Sequence, residues 1–407
     1  MSANLENEGK DAGKFFLQRI RGIDSQSFEN EGDRVKALLE LYAVLARLES
    51  PWETLIRLSM IQPALGAALT ICKDLQLFEK WSKTGAEALT SGQLAEVVGG
   101  SCEPDLLYRL LRLLASNHLI EETSVGSFKQ TQFSLAITAP VFDGLISTFN
   151  GMTLPLYAKM ADFFAETGYK NPQDSEQTVF QYAHGWSGDL WSYFKAHPEK
   201  QQQFSAIQQT ISAQQPAWTD IFPVHTLLEA DSGLPLGPLL VDVGGSTGHD
   251  LLKFHKAYPE TAPLLYLEDL ESVIEKAELP ESINKIPYDF FSPQPVVGAR
   301  AYFMHSVLHD WSDEPARKIL EMQRIAMTPG FSKLLIHDHI VPESLAHPQA
   351  TAFDLQMMAM VAGQERSEKH WRALLESVGL RIVRIWTLES AVHSIIEAEV
   401  TIQPEGY

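Results

Sequence analysis

The stretch VLHDWSDEPARKIL, Val307 to Leu320, sets a histidine and several acids between a hydrophobic run and a helical pattern. A histidine so placed, His309, can be a general base, a metal ligand or a buried structural residue. A second stretch, DVGGSTGHD (242–250), puts glycines between an apolar run and a helix. Such a turn frees backbone N–H groups to face a ligand. It departs from the dinucleotide fingerprint G-x-G-x-x-G: counted from Gly244, the second and third glycine places hold Ser246 and His249. No Gly-Lys-Ser/Thr closes it as a P-loop. Asp242 lies inside the motif, and Asp269 ends the next apolar run, where an acid can bind two ribose hydroxyls. A third stretch, HDH at 337–339, offers ligand-type side chains. On a strand, however, 337 and 339 share one face and 338 takes the other, so no facial metal triad is expected.

These residues need a scaffold that brings them to one edge. From Leu239 onward, LLVDV, PLLYLEDL, NKIPYDFF, ARAYFMHSVLHDW and KLLIHDHIV alternate with helical segments, which predicts a parallel sheet covered by helices. The front of the chain is different. VKALLELYAVLARL is spaced as an amphipathic helix, and residues 52–75 continue as helix, broken near Pro63. Thr90 and Gln93 form a capping-box pattern, Gly99-Gly100 ends that helix, and Pro104 opens the next. In that next helix Leu106, Leu110 and Leu114, joined by Leu107 and Leu111, make an apolar stripe. A hairpin around Gly126 completes a winged-helix arrangement. Residues 150–230 are helical and rich in aromatics (Tyr157, Phe163, Phe164, Tyr182, Trp186, Trp191, Trp218) that suit either a core or the wall of a pocket for a flat ligand. The expected division is 1–150, a helical winged-helix domain, 151–230, a helical connector, and 231–407, the α/β domain.

Composition narrows the function. The net charge of −20 disfavours nucleic acid and anionic membrane surfaces as partners. Arg109 and Arg112 on the second winged helix are ringed by Glu103, Asp105, Glu121 and Glu122, so a protein-interaction module is expected there. Two cysteines, Cys72 and Cys102, make no disulfide framework and fit a reducing compartment. The polar, acidic start lacks a signal peptide's pattern, and MIQPALGAALTIC is too short to span a bilayer, so a cytoplasmic protein without membrane partner is expected.

An acid-flanked glycine loop followed by a ribose-type acid suits a nucleoside that carries positive charge and no phosphate. S-adenosylmethionine is such a compound. The plainer alternative is that the glycines only pack helix against strand and Asp269 is a solvated strand end. The ordered set LLVDVGGSTGHD, YLEDL, PYDFF, VLHDWSDE and LLIHDHIVPE resembles the S-adenosylmethionine-dependent O-methyltransferases of the caffeate and hydroxyindole type, which include many fungal secondary-metabolite enzymes. The resemblance runs from about residue 55 to 390. It implies a Rossmann-like catalytic domain behind a winged-helix dimerisation domain, hence a homodimer, and no metal. It places Gly244 and Gly245 against the cofactor, Asp269 on the ribose, and Asp289 and Phe290 beside the adenine. His305 stands where the family usually has Arg or Lys, and Ser246 where it often has Gly.

The same resemblance makes His309 the base that takes the proton of a phenolic or enolic substrate, with Asp338 and Glu365 flanking its imidazole. Asp310 would support the loop. An ordinary histidine, with a pKa near 6.5, would face a phenol near 10, a mismatch of roughly 5 kcal/mol. Met304, Met357, Met358 and Met360 near these motifs could line an adaptable pocket or simply pack. Some relatives with this fold use bound S-adenosylmethionine for dehydration or pericyclic chemistry instead; the retained His309, Asp338 and Glu365 favour methyl transfer.

Overall fold

A computed structural model of the chain describes residues 2–214, 216–228, 237–388 and 392–401. The expected boundary at 230/231 lies outside the described residues. The chain divides into two compact units, 1–59 and 60–407.

The first unit is helical. The helix Glu31–Leu48 begins where the Asn30 side chain accepts from the backbone N–H of Asp33. The amphipathic pattern read from the sequence does form this helix, yet none of its residues is buried, and Leu38, Leu41, Tyr42, Leu45 and Leu48 stay exposed. Trp52 and Leu55 add to this uncovered apolar surface.

Residues Pro51–Asp74 form one 24-residue helix that contains a π-helical stretch at Arg57–Ile61. Pro63 follows directly in the first turn of the α-helical stretch Gln62–Asp74. Proline cannot donate to the carbonyl four residues back, and the wider π turn absorbs that missing bond, so the helix is deformed rather than broken. By length and composition (mean hydropathy 1.5) this helix could cross a bilayer. The shorter apolar run read from the sequence did not reach that length.

In the second unit, the strands β1 (Leu89–Thr90), β2 (Ile120–Ser124) and β3 (Ser127–Gln130) pair antiparallel in the order β1-β3-β2. Thr90 and Gln93 do close a capping box at the helix Ser91–Val97, and Pro104 starts the helix Pro104–Ser116. That helix buries Leu107, Leu111 and Leu114 against Cys72, Trp81 and Phe128, while Leu106 faces outward. The winged-helix pattern is therefore real, with its stripe turned one residue from the one read in the sequence.

The large sheet has seven strands: β4 (Leu240–Val243), β5 (Leu265–Asp269), β6 (Asn284–Pro287), β7 (Ala301–His305), β8 (Lys333–Asp338), β9 (Leu380–Trp386) and β10 (Ser394–Val400). Their order is β6-β5-β4-β7-β8-β10-β9. The first five run parallel, as expected from the strand–helix alternation. β10 is antiparallel to both β8 and β9, so the sheet is mixed and not wholly parallel. β4 and β7 are buried along almost their whole length, with apolar residues on both faces. Tyr302 and Met304 enter one core with Ile319, Leu320 and Trp371. Ala301 and Phe303 enter the other with Phe254 and Trp218. Trp218 stacks on Phe254, 5.5 Å between ring centres, which makes it a core residue. Phe163, Phe180 and Phe194 pack with Met360 in a further core formed partly by the helix Pro348–Val361, and Met304 is likewise core. Met357 and Met358 remain half-buried, and Tyr157 and Tyr182 are exposed.

Candidate active site

The carboxyl ends of β4, β5, β6, β7 and β8 lead into the segments that carry the candidates from Gly244 to Asp338, as in a parallel sheet whose chemistry sits in the loops that follow its strands, and Glu365 joins them from the stretch before the helix Glu368–Ser377. After β4 the chain turns through Gly244, whose φ of 73° lies in the left-handed region. A Cβ there would press on Val307 at 2.9 Å, and the Phe290 ring lies beside it at 3.8 Å. At Gly245 a Cβ would collide with the Asp242 carboxyl and lie 2.6 Å from Leu267. Both glycines are thus demanded by packing alone. Ser246 also has a left-handed φ, 53°. A side chain costs about 1–2 kcal/mol in that conformation, which explains why glycine suits the place better.

Asp269 ends β5 as expected. Its Oδ2 accepts from the backbone N–H of Ser246 at 2.8 Å and its Oδ1 from that of Leu270 at 2.7 Å. Two backbone donors leave acceptor sites on an ionised carboxylate free for hydroxyl groups. Asp289 is exposed, and its Oδ1 accepts from the N–H of Phe291. Phe290 and Phe291 both meet the Trp311 ring edge-on. Asp242 is fully buried, its Oδ2 has no partner, and burial together with Asp250, Asp269 and Glu268 pushes its pKa well up. A lone buried acid among other acids is a place where a cation would be welcome.

His305, at the end of β7, does not point into solvent. Its Nδ1 lies 2.6 Å from Asp250 Oδ2 and its Nε2 3.2 Å from His393 Nδ1. Burial works against the Asp250 charge, but contacts with His249 and His305 outweigh it and hold that carboxyl well below the usual range. His393 was not foreseen from the sequence. It precedes β10, and only the antiparallel pairing of β10 with β8 brings it here.

His309 sits in a short 3-10 turn, Leu308–Asp310, after β7. Its Nδ1 is 2.9 Å from Glu365 Oε1. Its Nε2 is 3.6 Å from Asp310 Oδ1. Burial alone would disfavour the imidazolium, but the carboxylates of Asp310, Glu365 and Asp338 outweigh it and push the His309 pKa up to about 10. In return, and against its own burial, Glu365 is pulled down to about 2. Asp338 is brought into the same electrostatic cluster but not into a hydrogen bond: both its oxygens are buried without a partner, and burial pushes it up to about 8. Glu365 is also shared with His339, whose Nδ1 lies 3.4 Å from the same oxygen.

Residues that sequence reading passed over hold this arrangement. Arg366, fully buried, donates to the carbonyls of Leu308 and Trp311 and to Asp313 Oδ1. It thereby clasps the loop on both sides of His309. A Cβ on Gly363 would collide with the His309 carbonyl oxygen, and Gln364 N–H donates to that oxygen at 2.8 Å. Asp354 accepts from the N–H of Glu365. Gly363 and Arg366 flank Glu365 in the AGQER stretch, so the signal was present in the residue types. What was missing was the contact between 308–313 and 363–366. A hollow of about 820 Å3 lies elsewhere, on the winged helix between Arg109, Arg112 and Thr131, and shares no residue with this cluster.

A mixed seven-stranded sheet thus carries a glycine turn, the strand-end acid Asp269 and an acid-paired histidine at one edge. The chain belongs to the O-methyltransferase domain family, whose model matches residues 157–381. It is 53% identical to O-methyltransferase mfmE of Annulohypoxylon moriforme, with 94% of each chain covered. It is 33% identical to O-methyltransferase penC of Penicillium thymicola, with 88% of each covered. Among solved structures, it resembles LepI in complex with SAM (TM-score 0.85, 26% identity, 97% of this chain and 100% of that one). It also resembles OxaC in complex with SAH and oxaline (TM-score 0.82, 25% identity, 98% and 100%). The protein is an S-adenosylmethionine-dependent O-methyltransferase.

Proposed function

We propose that the enzyme methylates a phenolic or enolic hydroxyl of a small aromatic or polyketide-like secondary metabolite, with His309 as the proton acceptor. The observation that carries this reading is the 2.9 Å contact between His309 Nδ1 and Glu365 Oε1. A carboxylate on Nδ1 favours the tautomer with its proton there, so Nε2, 3.6 Å from Asp310 Oδ1, is the nitrogen that would receive the acceptor's proton. OxaC, which is bound to oxaline in one structure and to meleagrin in another, supports a small-molecule acceptor.

When bound, S-adenosylmethionine supplies a methyl group whose bond to sulfur breaks as the new O–C bond forms, leaving S-adenosylhomocysteine. Gly244 and Gly245 would let it approach the turn, Asp269 would take its ribose, Asp289 and Phe290 would flank its adenine, and His305 would lie near its polar end. The unpartnered Asp242 oxygen and the surrounding acids fit a cationic nucleoside. His309 then receives the acceptor's proton on Nε2. Its pKa of about 10 matches that of a phenol, so the mismatch expected for an ordinary histidine disappears. The cost moves elsewhere: at neutral pH most of the free enzyme carries the imidazolium.

The uncovered apolar face of residues 15–60 supports a homodimer. The reading is tested by mass spectrometry of candidate phenols incubated with enzyme and S-adenosylmethionine. A 14 Da gain with equimolar S-adenosylhomocysteine is expected. Conversion of a substrate without cofactor consumption would instead assign the enzyme to non-methylating chemistry. A pericyclic reaction enzyme is among the solved structures of this fold (TM-score 0.84, 27% identity).

A further inference from the structure

β7 and β8 run side by side with His305 opposite His337. β10 returns antiparallel with Ser394 opposite Asp338, which leaves His393 beside the end of β8. Three imidazoles, two at strand ends and one just before β10, therefore meet. Ring centres are 4.1 Å apart for His305 and His337, and 5.3 Å for each of them with His393. One ligand nitrogen from each lies within 4.8 Å of the others. The Asp250 carboxylate, 2.6 Å from His305 Nδ1, holds the proton there and turns the Nε2 lone pair toward the cluster. That carboxylate–imidazole pairing is how metal-ligating histidines are oriented. Independently, His337 is buried, with 2% exposure, and its Nδ1 has no hydrogen-bond partner. Lys253 Nζ stays on the far oxygen of Asp250, at 3.8 Å from Oδ1.

We propose that His305, His337 and His393 bind one divalent transition cation of the zinc class, with Asp250 orienting His305. Three neutral nitrogens favour Zn2+, Co2+ or Ni2+ over Mg2+ and Ca2+, which prefer oxygen. Ligand distances near 2.05 Å in a tetrahedral site put the nitrogens about 3.3–3.5 Å apart. His305 Nε2 and His393 Nδ1 are already 3.2 Å apart, and a His337 nitrogen within 4.8 Å of both would have to close by at most about 1.5 Å to reach tetrahedral spacing. Three protein ligands leave a fourth position for water or a small anion. The ion would tie the helix His249–Ala257, which carries Asp250, to the strand ends of β7, β8 and β10. The alternation that keeps 337–339 from forming a triad by themselves does not bear on this set, because His305 comes from β7 and His393 from the residues before β10.

Tag-free enzyme, dialysed against chelator, is titrated with Co2+ and Zn2+ while visible absorption, calorimetric heat and melting temperature are followed. One equivalent of Co2+ with visible bands of a low-coordinate nitrogen site is expected, and Zn2+ should displace it and raise the melting temperature. His337→Gln and His393→Gln should abolish both signals, and Asp250→Asn should weaken binding about 10–100-fold. His339→Gln should leave them unchanged. The proposal is overturned if wild type takes up no stoichiometric Co2+, if uptake survives in His337→Gln and His393→Gln, or if His339→Gln abolishes it. The wild-type titration decides even if a variant fails to fold.

Discussion

The glycine turn after β4 and the clasp around His309 occupy the same sheet edge but are built in opposite ways. The turn is local: residues 242–250 contain the strand end, the bend and the helix start, and the loop is tied to the next strand through Asp269. The clasp is assembled from 308–313, 354 and 363–366, joined by buried and part-buried hydrogen bonds through Arg366, Gln364 and Glu365, with His339 in contact with Glu365 and Asp338 added by charge alone. A local turn can be weakened in affinity without loosening the fold. A long-range clasp couples catalytic geometry to stability. Variants on the two sides should therefore fail differently.

The largest effect is expected at Arg366. Arg366→Ala leaves buried carbonyls of Leu308 and Trp311 without their donor and should cost about 3–5 kcal/mol in denaturant unfolding. A loss below about 1 kcal/mol, the level of a single ordinary hydrogen bond, would mean that the clasp does not hold the loop. Next comes Gly363→Ala, which forces a methyl group against the His309 carbonyl. Overpacking there should cost about 1–3 kcal/mol and lower kcat, with cofactor affinity retained by calorimetry. On the turn side, Asp269→Ala should weaken S-adenosylmethionine binding at least about tenfold, or roughly 1.4 kcal/mol, while the loss of its bonds from the Ser246 and Leu270 N–H groups should cost only about 1–2 kcal/mol of stability, well below Arg366→Ala. If it unfolds the protein instead, the turn is not local and the contrast fails.

The pH behaviour probes the clasp without changing any residue. With a free-enzyme pKa of about 10, the neutral imidazole grows roughly tenfold per pH unit between 7 and 10, so kcat/KM should climb through that range. A plateau in kcat/KM already at pH 7 would contradict the charge cluster formed by Asp310, Glu365 and Asp338.

How much was legible follows the same division. The five parallel strands, the capping box at Thr90, the helix start at Pro104 and the hairpin at Gly126 could be read because each is written in consecutive residues. Asp269 and His309 could be placed because strand ends carry them. β9 and β10 were missed: they follow the last recognisable motif and pair antiparallel, a choice that depends on register. With them went His393. Arg366 was missed because its partners are backbone carbonyls some 55 residues away, to which sequence pattern gives no clue. Asp338 stands near His309 in charge but not in hydrogen bonding, a distinction that side-chain type alone cannot make.

The central claim is that His309 takes the acceptor's proton. It is tested most directly by single-turnover methyl transfer in His309→Ala, with S-adenosylmethionine affinity measured on the same preparation. A rate loss of about 10²–10⁴-fold with unchanged cofactor affinity is predicted. Methyl transfer at the wild-type rate would make His309 a structural histidine and leave the clasp without a catalytic purpose.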